Sequence, residues 1–180
     1  MKIRDIQALP VSFPLEVPAQ DATGIWHYWD TVIVKITAED GTFGYGEIGP
    51  LHGGGIPVFE AIVNYKFKNL LIGEDAFDRE RLYEKLLGRG TSAYAFGSKG
   101  AIVTAIAGVD IALWDLAGKA YGVPIHAMLG GKFRDKVKQT FANPKDRRLF
   151  WDRVLQSGVA ERVFSGHMSE AEAVMEKELS

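Results

Sequence analysis

Apolar and polar positions change period along the chain. Lys2 to Phe13 is dense in apolar residues, with Pro10 marking an edge position or a bend. Thr31 to Thr37 is a β-branched run, and Thr42 to Ile48 follows after Glu39-Asp40-Gly41, a tight-turn signal. These two runs predict a hairpin. Beyond residue 56 the spacing becomes helical. Phe59, Ile62, Val63, Phe67, Leu70 and Leu71 predict a first helix. Leu82, Tyr83, Leu86 and Leu87 predict a second, with Asp75 and Asp78 as candidate caps and Gly88 closing it. A third, capped by Ser98, carries the stripe Ile102, Ala105, Ile106, Val109, Leu113, Leu116 and Ala117. Gly122 sits where a left-handed terminal residue belongs, and Pro124 stops the chain from continuing.

Strands followed by helices give an α+β fold, a three-stranded antiparallel meander followed by a three-helix bundle. Two connections stand out in it. Leu15 to Asp30 is expected to be a long loop, and its Trp26-His27-Tyr28-Trp29 run is a poor composition for disorder. Gly49 to Ile56 joins the hairpin to the first helix and contains His52 and three successive glycines.

Composition narrows the chemistry. A net charge of −2 and a pI near 6.1 leave no basic footprint for nucleic acid. The absence of cysteine excludes disulfides, thiolate metal sites and a cysteine nucleophile. The charged start, Met1 to Asp5, lacks the apolar run of a signal peptide. The greasiest segment, Ala101 to Ala120, is interrupted by Asp110, Asp115 and Lys119, so no membrane partner and a cytoplasmic location are the expectation.

Candidate motifs mostly resolve into structure. Gly44 to Gly49 matches G-x-G-x-x-G in form, but Gly44 and Gly46 fall inside a hairpin strand rather than in the turn a dinucleotide needs. Gly53-Gly54-Gly55 lacks the Lys-Ser/Thr of a phosphate loop. The four histidines show no metal-binding spacing. Asp110 and Asp115 lie five apart on one helix, and Asp115–Lys119 is an ordinary i,i+4 pair. The aromatic run at 26–29 suits a ligand pocket as well as it suits a plug for its own loop. No nucleophile–base constellation emerges, and no catalytic residue is assigned.

One segment is more specific. Gly108 to Asp135 contains D-x-A-L-W-D (Asp110–Asp115), G-K-A (Gly118–Ala120), Pro124 and L-G-G-K-x-R-D (Leu129–Asp135). It resembles the end of the N-terminal capping domain in the mandelate racemase/muconate lactonizing enzyme group of the enolase superfamily. Gly46-Glu47 at the end of the third strand and the strand-then-helix order agree, and the resemblance covers residues 1–135. Small residues at Ala105, Gly108, Ala112, Ala117 and Gly118 give the motif a structural meaning, because they let neighbouring elements approach closely.

The resemblance implies that catalysis belongs to a following barrel. There Mg²⁺ stabilises an enediolate after a Lys or His base removes a proton beside a carboxylate. The capping domain closes that barrel with its first long loop and its post-hairpin loop. Carried onto this sequence, these are Asp21–Trp29 and Gly49–Gly55, with Trp26, His27, Tyr28 and His52 as substrate-facing side chains. The chain itself is expected to hold no cofactor, with Mg²⁺ in the parent enzyme. The substrate would be a small carboxylate or sugar acid. The parent would be an acid-sugar dehydratase, with a racemase or cycloisomerase behind it.

Only 45 residues follow Asp135, against roughly 200 for a full barrel. Residues 136–180 are expected to form a truncated or divergent tail, at most the start of a barrel. Val137–Asn143 would be a strand, Lys145–Leu155 a helix, and Ser169-x-x-Glu172 the cap of a last helix. After the Lys145–Leu155 helix the family would show a strand carrying K-x-K, and Ser157–Phe164 offers no such pair. A truncated gene, a frameshift or a metagenomic fragment would each account for it. The alternative is a non-catalytic oligomerisation or docking module that pairs with a separate barrel or with a second copy of the chain.

Overall fold

The computed structural model describes residues 1–21, 24–49, 56–88 and 100–134. The chain divides into two compact units, Met1–Gly131 and Lys132–Ser180. The first holds every element below. Ser98, His52, the triple glycine and the tail elements expected after Asp135 lie outside the described residues.

Three strands form one antiparallel sheet in the order β1 (Ile3–Asp21), β2 (Gly24–Ala38) and β3 (Phe43–Ile48). The hairpin predicted at Glu39–Gly41 is present. Gly41 takes a φ of 90°, and the Thr42 N–H donates to Asp40 Oδ1 at 2.9 Å. Its register runs from Thr37 opposite Phe43 to Val32 opposite Ile48.

β1 is an edge strand, one of the two options Pro10 left open, and the register explains how it tolerates proline. The Ala8 N–H, opposite Val34, donates to Asn64 Oδ1 at 2.8 Å instead of to β2. Ala8 therefore points its backbone groups outward, and so do Pro10 and Pro14 two and six residues on. A missing N–H costs no ladder bond at those positions.

The expectation of a loop from Leu15 to Asp30 is wrong. The described residues there continue β1 and β2 as a two-stranded arm, with Phe13 opposite Trp29, Pro14 opposite Tyr28 and Ala19 opposite Trp26. A bulge in β1 between Pro14 and Ala19 interrupts the register. Most described residues of the arm beyond Trp29 are exposed on both faces, so no apolar alternation marked it as strand.

The first predicted helix is a composite rod: α1 (Ile56–Ala61), a π-helical segment (Ile62–Phe67) and α2 (Lys68–Leu71). Phe59, Val63, Phe67 and Leu71 are its buried residues, spaced by four. A four-residue step overshoots an α-helical turn by about 40°, and the wider i→i+5 turns of the π segment swing the stripe back toward the sheet.

α3 (Arg79–Leu87) follows, closed by left-handed Gly88 as predicted. Asp78 occupies its N-cap position, but its carboxylate pairs with Arg81 and makes no cap bond. Asp75 instead accepts the Phe77 N–H at 3.0 Å and the Met1 amino group at 2.9 Å. Between them the turn at residues 73–76 hydrogen-bonds to Met1 and Ile3.

α4 (Ala101–Tyr121) starts after Gly100 and ends at left-handed Gly122. It is long and apolar enough by composition to cross a membrane, yet 56% of that apolar window is buried against its own fold, as for a core helix. A one-turn α5 (Ile125–Met128) completes the unit.

One core joins the layers. Ile6, Val34 and Ile36 from the sheet meet Phe67, Leu82, Ile106, Leu113 and Leu116 from the helices, all at most 2% exposed. α4 lies tightly against β3. A Cβ on Gly44 would stand 2.1 Å from the Ala112 carbonyl oxygen, and one on Gly46 would stand 2.0 Å from that of Gly108. The formal G-x-G-x-x-G is therefore a contact surface for a helix, and the small residues of α4 are its other half.

Candidate functional site

The D-x-A-L-W-D segment proves to be a clamp. The Arg79 guanidinium lies 3.3 Å above the centre of the Trp114 ring, with its Nε 3.4 Å from Asp110 Oδ1, tying α3 to α4. Asp115 accepts the Tyr45 N–H at 2.7 Å, capping the outer edge of β3, and also takes Lys119 Nζ at 2.7 Å. Lys35 and Lys119 both approach the rings of Phe43 and Tyr45, at 4.8 to 5.7 Å. Burial first, and the charge of Lys119 second, lower the pKa of Lys35 below the usual lysine value. A cavity of about 270 Å³ beside Asp115, Lys119 and Ile125 lies at this same end of α4.

The opposite end of the sheet carries the predicted site. Gly108 packs against Gly46 and Ile48 while Ala112 and Leu116 pack against Gly44, so α4 runs with its start toward Ile48. Ile48 pairs with Val32, at the base of the arm. The chain leaving β3 at Gly49 therefore departs beside the arm. Tyr28 is four residues from Val32, about 13 Å along a strand.

Thr31 fastens this junction. It is 6% exposed, the one buried polar side chain among the described residues. Its Oγ1 lies 2.7 Å from Glu47 Oε1 and 3.1 Å from the Ile48 carbonyl oxygen. A single hydroxyl proton serves both acceptors in turn, holding the arm's base to the exit of β3. Sequence reasoning gave Thr31 and Glu47 no role. The available signals were a threonine at the start of a buried run and a glutamate closing β3.

Of the four candidate side chains, three are placed, and they are not all on one face. Alternation along β2 sets Trp26 and Tyr28 on the face that carries Val32 and Val34 toward the helices. His27 and Trp29 point to the other face, with Ile33 and Lys35. Trp26 is half-buried, and its Cζ2 lies 3.9 Å from where a Cβ on Gly24 would stand. His27 is exposed, and Tyr28 is 57% exposed. His52 lies outside the described residues. Among the described residues no three His, Asp or Glu side chains converge as a metal ion would require.

The N-terminal domain of the mandelate racemase / muconate lactonizing enzyme family matches residues 3–130. The chain belongs to this family. The sirohaem synthase dimerisation region matches residues 127–179. D-galactarolactone cycloisomerase of Agrobacterium fabrum is 33% identical over 169 residues, covering 92% of this chain and 42% of that protein. D-galactonate dehydratase of Variovorax paradoxus is 39% identical over 107 residues, covering 59% of this chain and 26% of that one. An enolase from Bradyrhizobium, solved with magnesium and mandelic acid, shares the fold with a TM-score of 0.64. It is 22% identical, over 74% of this chain and 36% of that chain.

The mandelate racemase-type chain thus spans less than half the length of these relatives. Since 92% of 180 residues is about 166, its likeness to the cycloisomerase runs past Asp135 into the tail.

Proposed function

We propose that this chain supplies the capping and substrate-specificity domain of a Mg²⁺-dependent enolase-superfamily enzyme acting on a sugar acid or related carboxylate. An acid-sugar dehydratase is the first reading of the parent and a racemase or cycloisomerase the second. The names of the galactonate dehydratase and the galactarolactone cycloisomerase support the substrate class. The observation that carries the reading is the juxtaposition at one end of the sheet. There an arm bearing Trp26, His27 and Tyr28 stands beside the point where the chain leaves β3 at Gly49.

Each part of that end has a job in the proposal. The Trp26 indole and Tyr28 ring exclude water from one side of a bound sugar acid, while the Tyr28 hydroxyl hydrogen-bonds to it. His27 faces away from them and meets whatever lies behind the arm. Thr31 positions the arm by holding Glu47. His52, on the second loop, completes the substrate-facing set. The described residues do not assemble a magnesium site, so no chemical step is assigned to them. The ion and the proton-transferring groups belong to a barrel.

Assay of the purified 180-residue chain with Mg²⁺ and a panel of sugar acids tests this assignment. The expected result is no turnover and no Mg²⁺ binding by calorimetry. Mg²⁺-dependent dehydration by this chain would overturn it. The dimerisation-region match at residues 127–179 favours a second reading, a docking module that associates with itself or with a separately supplied barrel. Restoration of activity on mixing the chain with a separately expressed barrel would favour that reading.

A further inference from the structure

The register builds a patch of two chemical halves at the base of the arm. Along β2, Tyr28 and Asp30 lie on the same face as Val32, and Pro14 and Ser12 of β1 stand opposite them. Ala8 turns its backbone groups away from β2 toward Asn64, and Ser12 shares its phase, so Ser12 and Asp30 form a non-hydrogen-bonded pair. Such pairs hold their Cα atoms about 4.5 Å apart and bring the side chains close. Tyr28 and Pro14 thus make an apolar half, and a carboxylate and a hydroxyl make a polar half about 6.7 Å further along the strand. Tyr28 is 57% exposed, Ser12 is exposed and Asp30 is half-buried. Asp5, Asp40, Asp75, Asp78, Asp110 and Asp115 each hold a donor. Asp30 stands apart, because among the described residues neither its carboxylate nor the Ser12 hydroxyl has a hydrogen-bond or ion-pair partner.

We infer that Asp30, with Ser12, binds the hydroxyl-bearing end of the substrate and turns its carboxylate end away from the arm. A polyhydroxylated chain has the matching two-part character. Its C–H groups pack on a tyrosine ring, and its hydroxyls donate to a carboxylate in charge-assisted hydrogen bonds. A substrate carboxylate has no proton to donate to Asp30 and carries the same charge, so it is rejected at that end of the patch. A few polar groups on an otherwise apolar surface commonly fix the orientation of a ligand in this way. The inference rests on the capping reading and adds to it the direction in which the substrate lies. It makes Asp30 a specificity-determining residue, one that favours substrates with hydroxyls far from the acid group.

The test compares two probes of one carbon chain, the neutral polyol galactitol and the acid D-galactonate, binding to the full 180-residue chain. Chemical-shift titration by NMR gives both affinities at about 10 mM ionic strength, where the screening length is about 30 Å. Two unit charges about 7 Å apart in water repel enough to change an affinity about threefold. Galactitol is therefore expected to bind about threefold more tightly than galactonate, with the shifts centred on Ser12, Tyr28 and Asp30. Asp30→Asn keeps an acceptor oxygen and removes the charge, and is expected to bring the ratio to about one. Tyr28→Ala is expected to weaken both probes about fivefold and leave the ratio unchanged. Both residues are at least partly exposed, and circular dichroism checks that the variants stay folded. Equal or tighter binding of galactonate by the wild type, a ratio that persists in Asp30→Asn, or failure of either probe to bind would each overturn the inference. Binding that depends on Tyr28 and ignores Asp30 would overturn it alone and leave the capping role standing. Binding indifferent to both residues would count against both.

Discussion

Replacing Gly46 with alanine adds one methyl group where the backbones of β3 and α4 meet. Judged by conformational preference alone, the change should stabilise a strand by about 0.5–1 kcal/mol. The structure reverses that sign. The new carbon would stand 2.0 Å from the Gly108 carbonyl oxygen and 2.7 Å from the Ala112 nitrogen. Close carbon–oxygen contacts between strands sit near 3.3 Å, so α4 must retreat by about 1.3 Å. A radial gap of only 0.5–1 Å already forfeits a quarter to a half of each packing contact. Both neighbours are backbone, so no rotamer change relieves the clash. The expected cost is at the upper end of overpacking, about 3 kcal/mol, a large share of a domain's total of about 5–15.

Urea unfolding followed by tryptophan fluorescence reads this directly. With a slope of about 2 kcal/mol per molar, typical for a small domain, the midpoint falls by about 1.5 M. Gly108→Ala is the internal comparison. Its nearest obstacle is the Ile48 Cγ1 at 2.4 Å, a side-chain carbon, while the nearest backbone atom, the Glu47 carbonyl oxygen, stands at 3.2 Å. The expected loss there is about 1 kcal/mol, within the overpacking range. An unchanged or raised midpoint for Gly46→Ala would refute the close helix–strand contact and the structural reading of the glycine motif.

Other predictions follow from the edges and the turn. Asp115→Ala leaves the Tyr45 N–H and Lys119 without their acceptor and is expected to cost about 1–3 kcal/mol in the same assay. Asn64→Ala exposes the Ala8 edge of β1 and is expected to cost about 1 kcal/mol. Glu74 is held down to a pKa of about 2, from 4.5, by hydrogen bonds from Lys85 and then Arg81. A lowered folded-state value makes its contribution full above pH 4.5 and lost as the pH falls through 2. Thermal unfolding in that window should therefore depend less on pH in Glu74→Gln than in the wild type, and equal slopes would refute the assignment.

What the chain made legible was whatever carried a one-sided pattern. The β2–β3 hairpin announced itself through β-branched residues around a tight turn, and α4 through its apolar stripe and Gly122. The arm has no such pattern, because a strand wet on both faces has no reason to alternate. Pro10 marked an edge or a bend, and the register shows it on an edge strand with its backbone pointing outward. The π segment was hidden because four-residue spacing looks like an ordinary helix. Asp110, Trp114 and Asp115 could be recognised as a motif, but their partners Arg79 and Tyr45 are distant in sequence. The same limit applies to Thr31 and Glu47. Trp26, His27 and Tyr28 were singled out through the family resemblance, while their division between two faces needed the strand.

The most direct test of the account transplants the site onto a working catalyst. Residues 1–131 would replace the matching domain of the D-galactonate dehydratase, and kcat/KM would be measured over a panel of sugar acids with Mg²⁺. If the arm selects substrate, Trp26→Ala and Tyr28→Phe in that chimaera change the ranking of substrates, with kcat/KM falling about tenfold or more for the preferred one, the equivalent of 1.4 kcal/mol. The affinity for Mg²⁺ stays the same. Substrate ranking and kcat/KM that do not respond to either change would contradict the claim that this domain carries specificity.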